Sequence, residues 1–285
     1  MPTDLTHYIE SFLQDMVSRS TPRTIRNYRL YLSRFQSTTG AHLPSDITER
    51  AIDTFRAMLR RTHTNRGSTM MSSSINYHLI AVRAFIAYLA RLGLLPASLD
   101  DVALEPYHLP SRTLHPSIIN RVLAAATNAA APTIIRLRDT ALLQLLATTG
   151  MKVSELVELK RVDIPATGRA IAVRGLRRST RTIQLTHQTH FAIRQYLNQR
   201  TDAAPALFVR HDKAGRQNSS PLTPRSIERI IKKYARTANL SPDLTPERVR
   251  QLYAHKLAVD GEDIQTIQSR LGHATIATTR RYTRD

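Results

Sequence analysis

Apolar residues recur at three-and-four spacing through most of this chain, and a proline-rich lapse between residues 95 and 116 breaks the pattern into two blocks. That periodicity constrains the fold more than any other feature, because it demands helices with one buried face. In the first block, Leu5, Tyr8, Ile9, Phe12, Leu13 and Met16 make one stripe, which stops near Ser20-Thr21-Pro22. Ile25, Tyr28, Leu32 and Phe35 make a second. Ile52, Phe55, Met58 and Leu59 make a third, with Asp46 as its expected N-cap. A fourth starts in Ser72-Ser73-Ser74, carries Ile75, Leu79, Val82, Phe85, Ile86 and Leu89, and stops at Gly93. The stripes read as core. Opposite them sit Arg23, Arg26, Arg29, Arg60, Arg61, Arg66 and Arg83.

The lapse contains Pro96, Pro106, Pro110 and Pro116 and reads as an interdomain linker. The expected division is a helical domain over 1–100, a linker over 101–115 and a second domain over 116–285. In the second block, residues 134–146 form a strongly apolar helix that ends at Thr148-Thr149-Gly150. AIAVRG (170–175) and RTIQL (181–185) read as two strands around a basic turn. Helices follow at 187–200, 223–238, 245–260 and 262–270, with a short one near 274–281. The fold class is mainly α with a small β-sheet in the C-terminal domain.

Composition narrows the function. The 285 residues include no cysteine, which excludes disulfides, thiolate metal sites and a cysteine nucleophile. No apolar run reaches the ~18–20 residues of a membrane helix, and MPTDLTHYIESF lacks the layout of a signal peptide, so a cytoplasmic protein without a membrane partner is expected. The formal charge is +19 and it is uneven. Residues 1–110 hold 12 Lys+Arg against 9 Asp+Glu, a net of +3, while residues 111–285 hold 29 against 13, a net of +16. Arginine supplies 35 of the 41 cations, and its planar fork pairs bidentately with phosphate oxygens. A charge of this size on a folded domain points to a polyanion, with nucleic acid as the default.

ALLQLLATTGMKVSELVELKRVDI (141–164), the basic hairpin, LTPERVRQLYAHKLAVDG (244–261) and IQTIQSRLGHATIATTRRYT (264–283) resemble, in order and spacing, the catalytic domain of tyrosine recombinases of the phage-integrase and Xer type. TPRTIRNYRLYLSRF (21–35) and SSSINYHLIAVRAFIAYLARLGLL (72–95) resemble that family's helical, SAM-like core-binding domain. The most specific piece is LGH followed by Tyr, with His273 and Tyr282 nine residues apart.

The resemblance implies a chemistry. A tyrosine attacks one DNA phosphodiester, forms a 3′-phosphotyrosyl link and releases a 5′-hydroxyl, with neither ATP nor a metal or other cofactor required. Two arginines and one or two histidines clamp the charge that builds on the non-bridging oxygens. A hairpin lysine protonates the leaving oxygen. Matched residue by residue, Tyr282 takes the nucleophile position, Arg250 the second arginine and His273 the histidine. Glu155 matches the glutamate that follows the first arginine position. The resemblance also implies duplex DNA as partner, closed upon by both domains, with a dimer or tetramer on the DNA. Arg23, Arg26, Arg83, Arg174, Arg177, Arg178 and Arg181 are the expected DNA contacts.

Three positions depart from the family. Lys152 stands where the first clamp arginine is expected, and keeps the charge but not the two-pronged hydrogen bond. Leu176 stands where the hairpin lysine is expected, beside Arg177 and Arg178. Glu247 precedes Arg250 by three residues, where the family usually has histidine. Its carboxylate is expected to pair with Arg250 or Lys152, or to serve as a neutral donor. Loss of one transition-state donor typically costs ~2.7–4 kcal/mol. Two readings therefore stand: a recombinase acting through Tyr282, and a DNA-binding or regulatory relative with impaired cleavage. A type IB topoisomerase and a helix-turn-helix regulator fit the motifs less well. Only Thr283, Arg284 and Asp285 follow Tyr282, so the Xer form of tail exchange is not expected of these residues.

Overall fold

The computed structural model describes residues 4–63, 67–96, 99, 102–106, 117–174, 180–211, 219–240 and 244–283. The chain divides into two compact units, Met1–Ser111 and Arg112–Asp285.

The first unit is built from α1 (Leu5–Asp15), α2 (Pro22–Thr39), α3 (Glu49–Arg61) and α4 (Ser72–Arg91). All four stripes face one core, which holds Leu5, Phe12, Leu32, Phe35, Phe55, Leu59, Leu79 and Phe85. Phe35 and Phe55 meet edge-to-face at 5.2 Å, an arrangement that favours specific packing over mere burial. Thr21 caps α2 through its side chain, with Pro22 in the first turn, and α2 ends at Gly40 in the left-handed conformation. The N-cap of α3 is Thr48 and not Asp46. Asp46 instead accepts the His42 and Leu43 N–H groups at 2.9 and 2.8 Å and closes the turn before the helix. Part of the lapse belongs to this unit. Val102 is buried in its core, and Asn76 and Glu105 exchange two hydrogen bonds, at 3.0 and 2.7 Å.

The second unit contains α5 (Ser117–Thr127), α6 (Thr133–Thr149), α7 (Val153–Glu158), the hairpin β1 (Ala170–Arg174) and β2 (Thr180–Gln184), α8 (His187–Gln199), α9 (Pro224–Thr237), α10 (Pro246–Val259), α11 (Ile264–Leu271) and α12 (Ile276–Thr283). Helix α6 is apolar nearly all round because it lies at the centre, against α5, α8 and α10. The hairpin is antiparallel, with Ala170 opposite Gln184 and Arg174 opposite Thr180. Ile171, Val173 and Ile183 face inward, as alternation requires. Two short helices, α5 and α7, add to the elements expected from the pattern. Among the described residues no helix is long and apolar enough to cross a membrane.

Candidate active site

Helix α6 closes at Gly150 in the left-handed conformation, φ 58°. A Cβ there would lie 2.4 Å from Cδ1 of Tyr253 and 2.9 Å from Cδ2 of Leu271, so only glycine permits this approach. The Gly150 carbonyl accepts a 2.7 Å hydrogen bond from Nη1 of Arg250, and Nη2 donates to the Leu271 carbonyl, also at 2.7 Å. Arg250 thereby ties the end of α6 to the end of α11 while only 2 % exposed. Burial lowers its guanidinium from the ordinary value, and the Glu247 and Glu155 carboxylates act in the opposite direction.

The turn after Gly150 leads to Lys152, the half-buried N-cap of α7. Glu155, in the first turn of α7, accepts the Lys152 N–H at 2.8 Å. Its carboxylate also receives both terminal nitrogens of Arg181 from β2, at 2.7 and 2.8 Å. Burial pushes the Glu155 carboxyl up, but the Arg181 and Lys152 hydrogen bonds oppose it and the net displacement is downward. Nε of Arg181 donates to the Arg270 carbonyl at 3.1 Å, and its guanidinium packs on Gly272. Arg181 is therefore not a free DNA-facing cation. A buried carboxylate requires a partner, and Arg181 supplies it.

His273 follows Gly272, whose φ of 65° ends α11. Its Nδ1 is 3.0 Å from Oγ1 of Thr279 on α12. Nε2 is buried with no partner among the described residues. Burial, and then the charges of Arg250, Lys152 and Arg181, push the imidazole down to about 4, so it is neutral at physiological pH. The Tyr282 ring meets His273 edge-on, with centroids 4.9 Å apart and planes at 87°. The rest of the ring packs on the cluster of Ala254, Leu257, Ile267 and Leu271. The Tyr282 hydroxyl donates to Oε1 of Glu247. This differs from the expected ion pair of Glu247 with Arg250 or Lys152, which is absent among the described residues. The nucleophile-position hydroxyl is simply the nearer partner.

Tyr282 thus contacts both His273 and Glu247, and the charges of Arg250 and Lys152 act on His273. Thr279 and Gly150 support this arrangement, and neither stood out from the sequence as part of the site. Thr279 lies on α12, six residues beyond His273, inside the stretch that carries the resemblance. Arg174 is exposed at the end of β1. Leu176, Arg177 and Arg178 lie outside the described residues, as does Arg66. In the first unit Arg23, Arg26 and Arg83 are exposed. Arg29 is instead paired with Glu10, and Arg60 with Glu105.

Residues 112–285 match the family described as the phage integrase family, and residues 9–93 match the phage integrase N-terminal SAM-like domain. The chain belongs to the phage integrase family. Among curated relatives of this phage integrase family member, tyrosine recombinase XerC of Myxococcus xanthus is 30 % identical over 291 residues, covering 99 % of this chain and 94 % of the relative. Tyrosine recombinase XerA of Pyrococcus furiosus is 39 % identical over 150 residues, 52 % of this chain and 51 % of the relative. Of solved structures, XerA recombinase superposes with a TM-score of 0.54 at 26 % identity, covering 98 % of this chain and 94 % of that one. The Tn1549 transposon integrase in complex with transposon right end DNA reaches a TM-score of 0.78 at 16 % identity, over 98 % of this chain and 95 % of that one, which shows a shared fold.

Proposed function

We propose that this protein is a site-specific DNA recombinase that breaks and rejoins one strand of duplex DNA through a 3′-phosphotyrosyl intermediate on Tyr282. The observation that carries this reading is the edge-on contact of Tyr282 with His273, at 4.9 Å, beside the buried Arg250. A phenol and a neutral imidazole are in contact there, under the charge of two cations, a set of groups suited to a phosphodiester.

Each group has a definite task. In the tautomer that has the Thr279 hydroxyl donate to Nδ1, His273 carries its hydrogen on Nε2, the nitrogen with no partner among the described residues. That N–H suits a non-bridging phosphate oxygen. Arg250 uses two nitrogens to fix itself and presents positive charge from a preorganised position. Lys152 adds a second positive charge, felt at His273. Exposed Arg23, Arg26, Arg83 and Arg174 would contact the backbone phosphates, as would Arg177 and Arg178. The names of the relatives, recombinases matched across the full length of the chain, favour cleavage over binding alone. One structural relative is described as a lambda integrase dimer bound to a core site, which supports a homo-oligomer on DNA here.

A nicked duplex that traps the cleaved state tests the reading. Wild-type protein should yield a covalent adduct that survives a denaturing gel, and Tyr282→Phe should yield none. An adduct of equal yield from the Phe variant removes Tyr282 from the nucleophile's role.

A further inference from the structure

We infer that Glu247 is the base that takes the proton of Tyr282 during strand cleavage. The inference rests on the proposed recombinase reading and adds to it the fate of the nucleophile's hydrogen. It starts from one contact, the Tyr282 hydroxyl donating to Oε1 of Glu247 across 35 residues of sequence. A candidate base must be within hydrogen-bond reach of the proton that it removes. Glu247 meets that requirement.

The neighbours do not. Lys152, Arg250 and Arg181 are cations at the α6–α7 turn, on α10 and on β2, and none is a proton acceptor. His273 presents its ring to the face or edge of Tyr282 rather than a nitrogen to its hydroxyl, and Nδ1 is engaged by Thr279. Among the described groups around the phenol, the Glu247 carboxylate alone is both basic and in contact. The backbone places it there. Thr245 caps α10 through its side chain, Pro246 opens the helix, and Glu247 falls in the first turn, where the helix dipole favours a negative charge. Where the carboxylate acts, the Arg250 charge lies one turn further along the same helix.

The Tyr282 O–H bond breaks and its proton passes to Oε1 of Glu247. The phenolate oxygen bonds to phosphorus, the bond from phosphorus to the 5′-oxygen breaks, and that oxygen leaves with the electron pair and takes a proton from water. In rejoining, the incoming 5′-hydroxyl gives its proton to hydroxide and its oxygen bonds to phosphorus, the bond from phosphorus to the phenolic oxygen breaks, and Glu247 returns its proton to the Tyr282 phenolate. Glu247 is also exposed, so its carboxylate is hydrated and needs no buried partner.

Glu247→Gln keeps the shape and an accepting oxygen but removes the base. On the nicked substrate it should form adduct about 100- to 10,000-fold more slowly than wild type. Duplex affinity, measured separately, should stay the same or tighten, because a negative charge is lost near the phosphate. Glu247→His, which supplies a different base at the same place, should restore most of the rate. Adduct formation by Glu247→Gln at the wild-type rate or faster overturns the inference and leaves Glu247 a tether for the phenol. Should the Gln variant prove unstable, a Glu247→Ala protein that forms adduct at the wild-type rate has the same force. Absence of adduct from the wild-type protein is a different result, which defeats the recombinase reading itself.

Discussion

Arg181 grips Glu155 through both terminal guanidinium nitrogens, at 2.7 and 2.8 Å, and so fastens the β-hairpin to the first turn of α7. The Glu155 side chain is 4 % exposed and that of Arg181 15 %. Removing one partner of such a pair leaves an uncompensated charge in a low-dielectric setting, at about 3–5 kcal/mol. Arg181→Ala should therefore lower the unfolding free energy by that amount, read from the denaturant midpoint at constant slope. Arg181→Met combined with Glu155→Met should recover much of the loss, because no charge is then stranded. A single variant within 0.5 kcal/mol of wild type would mean that water replaces Arg181 readily.

The same pair shows where the sequence stops being legible. Apolar spacing is a local property, so α1–α4 and α8–α12 are readable directly from their stripes. Helix α7 has six residues, too few to display a period, and α5 begins immediately after Pro116. At the site, His273 and Tyr282 are readable because they share one short segment with a characteristic spacing. The contacts that organise the site join residues 26, 35 and 100 positions apart: Arg181 with Glu155, Tyr282 with Glu247, and Arg250 with the Gly150 carbonyl. Pairings at such separation are settled by tertiary packing, which no local pattern encodes. Thus Arg181 looks like any other cation of a basic hairpin until its partner is seen.

Gly150 meets two demands at once, a left-handed backbone and contact with the Tyr253 ring. Gly150→Ala should lose about 1–2 kcal/mol to the backbone conformation and about 1–3 kcal/mol more to overpacking. Adding Tyr253→Ala removes the nearest clash but leaves the backbone strain and opens a cavity. Thermal unfolding of the two variants separates the contributions. A Gly150→Ala protein as stable as wild type would show that α6 can end in another conformation.

His273 makes stability depend on pH. An imidazole unfolds to an ordinary value near ~6.5 and is held at about 4 in the native state. Between those values the unfolded chain binds a proton that the native chain does not, so stability rises with pH across the window and levels off above it. The contribution is of order 2–3 kcal/mol, fully present above the unfolded value and lost as pH falls toward the native one. Burial moves His78 and His211 in the same direction, which steepens the slope. Unfolding free energies measured from pH 4 to 7 should show this rise, and His273→Gln should flatten it by about one proton. An unchanged slope in that variant would assign the dependence to the other two histidines.

Arg23, Arg26 and Arg83 are exposed and joined to no acidic group among the described residues, unlike Arg29 and Arg60. A cation that neutralises a phosphate releases a counterion, and each contributes about 0.9 to the logarithmic salt slope of binding. Replacing all three with alanine should lower the magnitude of that slope by about 2.7, as read from binding at several salt concentrations. The loss should be similar for a target duplex and an unrelated one, because phosphate contacts carry no sequence information. A triple variant with the wild-type slope would place the DNA contacts elsewhere.

Lys152 occupies the position where the family resemblance leads one to expect arginine, and its charge reaches His273. An ammonium is a compact point charge, whereas a guanidinium presents a fork matched to two phosphate oxygens. If the clamp is limited by that missing second hydrogen bond, Lys152→Arg should speed adduct formation on the nicked substrate by up to about 100-fold, the scale of one preorganised donor. Duplex affinity should change far less, because charge is conserved. The comparison also discriminates between roles for the side chain. A guanidinium is a poor proton donor near neutral pH, so a slower Lys152→Arg variant with intact binding would mean that the lysine ammonium protonates the leaving 5′-oxygen, and that this chain has moved its general acid from the hairpin to the start of α7.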